Sequence, residues 1–394
     1  MKGRIEHDAF RNESAVPQFT FTSPPPLSDP VDLGSNKAWP GDDDFQSAML
    51  QGVSRTFALT IPQLPAALYR VVSNAYLLCR IVDTIEDEPL LDGARKNYFC
   101  QQFLRALDGG KNAALFGRQL CSSLSKQTSP AEHELIRNAP RVIQIARSFS
   151  AAQREALQHC VRTMAQGMTQ FQLRNEKHGL QTLEDLDRYC YYVAGVVGQM
   201  LTRLFCLHSP EIAKRHDALM GLAISFGQGL QMTNILKDVW EDYRIGACWL
   251  PREIFAEEGL DLRDLTKAGK REEFQRGVQR LIGIAHGHLR NALTYTLLIP
   301  RQEVGIRNFC LWAIGLAVLT LRKINSHLYY TDGSQVKISR LSVKGTVLFS
   351  RLTAQNDGLL KLLFYLAAFR LPLTPTSASW SPAETSDLEV DRAL

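Results

Sequence analysis

Two acidic clusters, Asp83-Thr84-Ile85-Glu86-Asp87 and Asp238-Val239-Trp240-Glu241-Asp242, are the residues of this chain best suited to chemistry. In each, three carboxylates fall at i, i+3 and i+4, positions that share one side of a helix. Like charges so placed weaken a helix by about a few tenths of a kcal/mol per pair. A hard divalent cation bound through oxygen would offset that repulsion. Asp83, Glu86, Asp87, Asp238, Glu241 and Asp242 are therefore candidate metal ligands. One such cluster alone is more often a solvated helix face carrying ion pairs. Two of them, together with a basic element, are much less often an accident.

That basic element is Ser54-Arg55-Thr56-Phe57. Hydroxyl, guanidinium and hydroxyl in succession suit diphosphate oxygens, and arginine offers planar, bidentate donors. Stepping back from Asp83 by helical turns gives Arg80 and Tyr76. Gln231 and Asn234 precede Asp238 at helical spacing, with Lys237 adjacent. Ser54, Arg55, Arg80, Gln231, Asn234 and Lys237 are the candidate diphosphate contacts. Metal ions on carboxylates at one side and Arg/Ser at the other would let a diphosphate leave an allylic carbon, because the developing negative charge is held. The carbocation left behind needs an apolar, aromatic and water-free pocket. Phe57, Tyr76, Phe171, Tyr189, Tyr192 and Phe309 are candidates; each would otherwise be read as an ordinary core aromatic.

The elements that must position these groups are helices. Helical patterning runs over 43–51, 65–88, 91–108, 111–125, 131–148, 150–176, 182–207, 211–242, 251–257, 271–297, 301–330 and 340–370. Pro89 ends the helix that carries the first cluster. Strand signals are nearly absent, with at most a short hairpin or loop around Asp332-Gly333. We expect one all-α domain, a helical bundle over 43–372, with its acidic helices facing across a central cavity. Residues 1–42, with Pro24-Pro25-Pro26, read as a disordered Pro-rich segment, and 373–394 as a flexible polar tail.

Composition narrows the function further. The chain has 394 residues, 45% hydrophobic, and a net charge of +5. That is mildly basic, with no dense Lys/Arg block, and argues against nucleic acid. The eight cysteines are scattered without a C-x-x-C pair and read as reduced core cysteines of a cytoplasmic protein. No secretory signal is visible, and no stretch convincingly spans a membrane. Leu359–Leu371 is apolar but short; it would dock on the body or lie peripherally on a bilayer. A monomer is expected.

Taken together the motifs resemble the squalene/phytoene synthase family of head-to-head prenyl transferases. The matching pieces are Ser54–Phe57, Tyr76 with Arg80 and Asp83–Asp87, Tyr189-Cys190-Tyr191-Tyr192-Val193-Ala194-Gly195-Val196-Val197-Gly198, Gln231 through Asp242, Asn308-Phe309-Cys310 and Val336-Lys337-Ile338. They run in the family's order over roughly 45–345 of this chain. The resemblance implies an isoprenoid-synthase-type bundle. It also implies condensation of two farnesyl diphosphates to presqualene diphosphate, then reduction to squalene with NADPH, with Mg2+ on the carboxylates. Tyr189 would move a proton in the first half-reaction and Phe309 would line the second-step pocket; Tyr76 and Phe57 are the further catalytic candidates. Lys337, Arg340 and Lys344 would contact NADPH. Phytoene or dehydrosqualene synthesis without NADPH, or a terpene cyclase, are the alternatives. One departure stands out: Ala247 occupies a position where the family carries Arg, and Arg244 is the candidate to stand in for it.

Overall fold

The structure, a computed structural model, describes residues 41–54, 56–173, 178–265 and 270–374. Arg55, residues 1–40 and residues 375–394 lie outside them. The described chain is helical, with a single β-bridge between Leu180 and Pro251. It opens with α1 (Asp42–Val53), whose first turn carries Asp42, Asp43 and Asp44 at the positive end of the helix dipole. A one-turn α2 (Phe57–Thr60) and a 3-10 turn (Ile61–Gln63) lead through Pro65 into α3 (Ala66–Asp87), the first acidic helix. It stops at Asp87 because the next residue, Glu88, precedes Pro89 and is pushed out of the helical region. The buried Glu88 carboxylate then accepts hydrogen bonds from Leu90 N (3.0 Å), Ser125 N (2.8 Å) and the Thr128 hydroxyl (2.6 Å). The acidic helix thus ends on a fixed anchor.

Next come α4 (Gly93–Leu107), α5 (Ala113–Ser123), α6 (Pro130–Arg137), α7 (Ala139–Arg147) and α8 (Ala151–Leu173). The expected single helix over 131–148 is two, because Pro140 at the start of α7 removes a backbone donor. After α9 (Leu183–Cys190) the chain widens into a π turn (Tyr191–Gly195) before α10 (Val196–His208). Such widenings are rare and occur mostly at functional sites. A short α11 (Pro210–Ala213) precedes α12 (His216–Arg244), the second acidic helix. The remainder is α13 (Arg252–Glu257), α14 (Arg271–Leu298), α15 (Val304–Ser326), α16 (Arg340–Thr353) and α17 (Asp357–Ala367). The expected run 340–370 breaks at Asn356, which caps α17 by accepting from Leu359 N at 3.0 Å. The stretch around Asp332-Gly333 is a 3-10 turn (Gly333–Val336), not a hairpin.

Helix α12 is the spine, lying along α14 on one side and against α10 and the π turn on the other. Glycines make that second crossing close. A Cβ on Gly227 would sit 2.2 Å from Ala194 O, and one on Gly198 would sit 2.1 Å from Ala223 O. These distances are inside contact, so the backbones meet where side chains would hold them apart. The eight cysteines are all free, six of them buried. Among the described residues two helical stretches, Leu183–His208 and Val304–Ser326, are long and apolar enough to cross a membrane. In the second, 67% of the most apolar window is buried inside the bundle.

Candidate active site: two acidic helices on one cavity

Helices α3 and α12 meet across a cavity of about 900 Å³. Asp83, Glu86 and Asp87 line it from α3; Asp238 and Asp242 line it from α12. Sequences far apart in the chain are thereby brought to one place. The charge of Asp87 is close enough to raise the pKa of Asp242, and Glu86, Asp87 and Asp242 all act on Tyr189. Burial, together with the like charges of Asp238, Asp87 and Glu241, pushes Asp242 up to about 7. Burial likewise pushes Asp83 up to about 7 against the pull of Arg80.

Glu241 corrects the sequence reading. Its carboxylate turns away from the cavity and accepts from Gly333 N at 2.8 Å, tying α12 to the 3-10 turn. The tether and not the spacing marks the difference: Glu86 stands at the same i+3 position from Asp83 and does line the cavity. Asp238 and Asp242 therefore share the cavity face without Glu241. Arg244 does not stand in for the absent arginine either. It donates to Thr331 O at 2.6 Å and lies 3.5 Å from Asp332, outside the cavity that Ala247 lines.

The basic side is built from several elements. Ser54 lines the cavity, accepts from Phe57 N (3.0 Å) at the start of α2, and hydrogen-bonds the Tyr76 phenol. Arg80 is held between Asp83 (3.7 Å) and Glu132 of α6. Glu132 is in turn fixed by its capping box with Ser129. The sequence reading missed Glu132; a Ser-x-x-Glu box before an apolar run was the visible signal, but nothing in it pointed to Arg80. It also missed Lys96 of α4, which lines the cavity and donates to Glu86 O. Lys237 lies 3.0 Å from Asp238. Arg80, Lys96 and Lys237 are the cations lining the cavity among the described residues, and Gln231 and Asn234 line it as well.

Away from the charges the lining is apolar and aromatic. Phe57 and Tyr76 lie with ring centroids 5.2 Å apart. Tyr189 stacks on Trp249 at 4.0 Å and meets the edge of Phe171 at 5.4 Å. Phe309 of α15 lies edge-on to Phe205 at 6.2 Å. Burial and the neighbouring carboxylates hold the Tyr189 phenol protonated, well above its ordinary range. Tyr192, a candidate wall residue, instead packs beneath α8, where a Cβ on Gly167 would collide with its ring. Lys337, Arg340 and Lys344 are exposed around the start of α16 and do not line the cavity.

Hard carboxylate oxygens on two facing helices are the donor set that Mg2+ takes. Among the described residues no three Asp, Glu, His or Cys side chains converge into a closed cage. Mg2+ keeps much of its water and binds through one or two carboxylates plus ligand phosphates.

Fold and cavity together define a class: an all-α protein that presents paired acidic helices and a few cations to one cavity with an apolar, aromatic lining. The chain belongs to the squalene/phytoene synthase family, whose model matches residues 50–342. It is 32% identical to squalene synthase ERG9 of Gibberella zeae over 276 residues, covering 69% of this chain and 56% of that protein. It is 28% identical to the squalene synthase of Schizosaccharomyces pombe, covering 72% of this chain and 60% of that one. The chain thus spans under two thirds of these relatives. The fold is that of the solved structure of TcSQS with the ligand BPH1237, at TM-score 0.67 and 24% identity, covering 83% of this chain and 91% of that one. A dehydrosqualene synthase in complex with ligand shares it at TM-score 0.53 and 20% identity, covering 79% and 95%.

Proposed function

We propose that this protein is a squalene synthase, joining two farnesyl diphosphates into presqualene diphosphate and reducing that with NADPH to squalene. The observation that carries the reading is the single cavity that has carboxylates of α3 and α12 at one end and aromatic, apolar lining elsewhere. Asp83, Glu86, Asp87, Asp238 and Asp242 would hold Mg2+, which when bound stabilises the charge that develops on a departing diphosphate. Ser54, Arg55, Arg80, Lys96, Lys237, Gln231 and Asn234 would orient the diphosphates, with Glu132 keeping Arg80 in place. Tyr189, protonated and next to both acidic faces, would relay the proton lost as the new carbon–carbon bond forms. Phe57, Tyr76, Phe171 and Phe309 would exclude water and face the cationic carbons. Lys337, Arg340 and Lys344, exposed beside the turn that Glu241 grips, would meet the phosphates of NADPH.

Incubation with farnesyl diphosphate and Mg2+, with and without NADPH, tests the reading. Squalene is expected with NADPH, and presqualene diphosphate without it. One hydrocarbon with a central double bond under both conditions would mean dehydrosqualene synthesis, and a cyclic product from one substrate molecule would mean a cyclase; either overturns the proposal.

A further inference from the structure

Helices α16 and α17 both turn large apolar residues outward. On α16 the residues facing the body are small and polar: Ser350 is 8% exposed and Thr353 4%. Thr346 packs against α15, where a Cβ on Gly315 would come within 2.5 Å of its methyl. The residues facing out are large and apolar. Leu341 is 79% exposed and Leu352 73%, with Leu348 and Phe349 between them on the same side. Helix α17 packs Leu360 and Phe364 on the core, yet it and the turn after it also leave Leu362, Tyr365, Leu366 and Phe369 more than half exposed at helical spacing. The two helices are consecutive and in contact. Scattered surface leucines need no explanation, but a set this dense marks an interaction surface.

The charges around it select the partner. Between residues 337 and 371 stand Lys337, Arg340, Lys344, Arg351, Lys361 and Arg370, against Asp357 alone. Asp357 is itself consumed, 2.7 Å from Arg301 and paired with the fully buried Arg307, which pins α17 to the body. None of the six cations makes an ion pair among the described residues. On α16, Lys344 and Arg351 flank one side of the Leu341–Leu348–Leu352 stripe. A second copy meeting this face would set cation against cation. Arg351 donates to Gln63 Oε1 at 3.3 Å and lies over the Trp312 ring, and Arg370 lies over Phe369, but no carboxylate among the described residues neutralises any of the six; apolar residues flanked by such cations are complementary to an anionic lipid surface.

We infer that α16 and α17 form a docking face that lies on anionic bilayers, α16 and α17 flat in the interface and the rest of the protein outside it. This surface is separate from the cavity lining; Lys337, Arg340 and Lys344 are also the proposed NADPH contacts, so the test runs without nucleotide and changes Lys361, which has no part in the proposed reaction. It is tested with the full chain, without substrate, by co-sedimentation with vesicles of phosphatidylcholine alone or of phosphatidylcholine mixed with phosphatidylglycerol.

Binding to the mixed vesicles is expected, weakening as salt rises and falling at least about tenfold on pure phosphatidylcholine. Leu348→Asp/Leu352→Asp should lower it at least about tenfold, and Leu366→Asp and Lys361→Glu should each lower it several-fold, with helix content unchanged by circular dichroism. All four positions are exposed, so the variants should fold. Failure of the parent chain to sediment, or undiminished sedimentation of the variants, would overturn the inference. So would concentration-dependent dimerisation abolished by Leu348→Asp/Leu352→Asp, which would give the face to a second copy. Binding that appears only when residues 375–394 are removed would give it to that segment and overturn it too.

Discussion

Replacing Asp83 by Asn should make the cation-free protein more stable while removing its Mg2+-dependent turnover. Burial pushes the Asp83 carboxyl from 3.8 to about 7, despite Arg80 at 3.7 Å. A folded-state pKa above the unfolded one means that the group favours folding only while protonated. Its contribution is fully present below about pH 4 and is lost as pH rises through about 7. One pKa unit is worth about 1.4 kcal/mol, so three units would cost about 4 kcal/mol at pH 8. The side chain is 26% exposed, so water screens part of this and about 2 kcal/mol is the working figure. Asn carries no charge at any pH. In chelator at pH 8 the variant should therefore melt a few degrees above the parent, and the difference should vanish near pH 4. Thermal denaturation followed by circular dichroism at both pH values measures this. In parallel, Mg2+ with inorganic diphosphate should raise the melting temperature of the parent more than that of the variant. A variant equal to or less stable than the parent at pH 8, with the same pH slope, would refute the view that this helix face carries charge repulsion awaiting a cation.

Three further outcomes are expected. Tyr189→Phe keeps the stacking on Trp249 but loses the phenol proton, so the first half-reaction should slow by about 10²–10⁴ with little change in melting temperature; single-turnover assays of presqualene diphosphate formation check it. Gly227→Ala places a methyl where Ala194 O stands 2.2 Å away, forcing α12 off the π turn; a loss of at least about 2 kcal/mol in urea unfolding is expected, together with weaker substrate binding. Glu88→Gln leaves a weaker acceptor for three donors at the end of α3 and should cost about 1–3 kcal/mol at pH 7. Burial would raise the Glu88 pKa, but hydrogen bonds from Thr128, Ser125 and Leu90 outweigh it and lower it below 4.5. Its stabilisation is thus present above that pH and fades as pH falls through the lowered value, so the difference between parent and variant should shrink in acid.

Local rules made much of this molecule readable from its residues. Helix periodicity located nearly every long element, and the i, i+4 spacing of Asp83/Asp87 and Asp238/Asp242 identified the faces that meet in the cavity. What failed has definite causes. Proline and asparagine punctuation inside long apolar runs, at Pro140 and Asn356, was overridden by the pattern around it. The π turn at Tyr191–Gly195 lies against α12 at Gly227, a contact between residues too far apart in the sequence for local patterning to show. Glu132 and Lys96 reach the site only through tertiary packing of α6 and α4. Glu241 passed the same spacing test as Glu86 and still faces elsewhere, its carboxylate held by the backbone N–H of Gly333, a residue far off in the sequence.

The two acidic faces of the cavity put different demands on the chain. The carboxylates of α3 and α12 are mutually repulsive, and each helix is held in place by a contact outside the cavity. Glu88 fixes the end of α3, and Glu241, by leaving the ligand set, fixes α12 to the turn before Lys337. Arg244, drawn to Thr331 and Asp332, reinforces that same tether from one turn further on. Two charged residues of the second acidic helix therefore hold the segment that carries the candidate NADPH contacts, and neither enters the cavity. With Ala247 at its lining, the second cluster relies on Lys237 for nearby positive charge, whereas the first has Arg80 and Lys96. The two faces are alike in spacing but unequal in charge balance. Diphosphate should consequently bind more tightly at α3 than at α12.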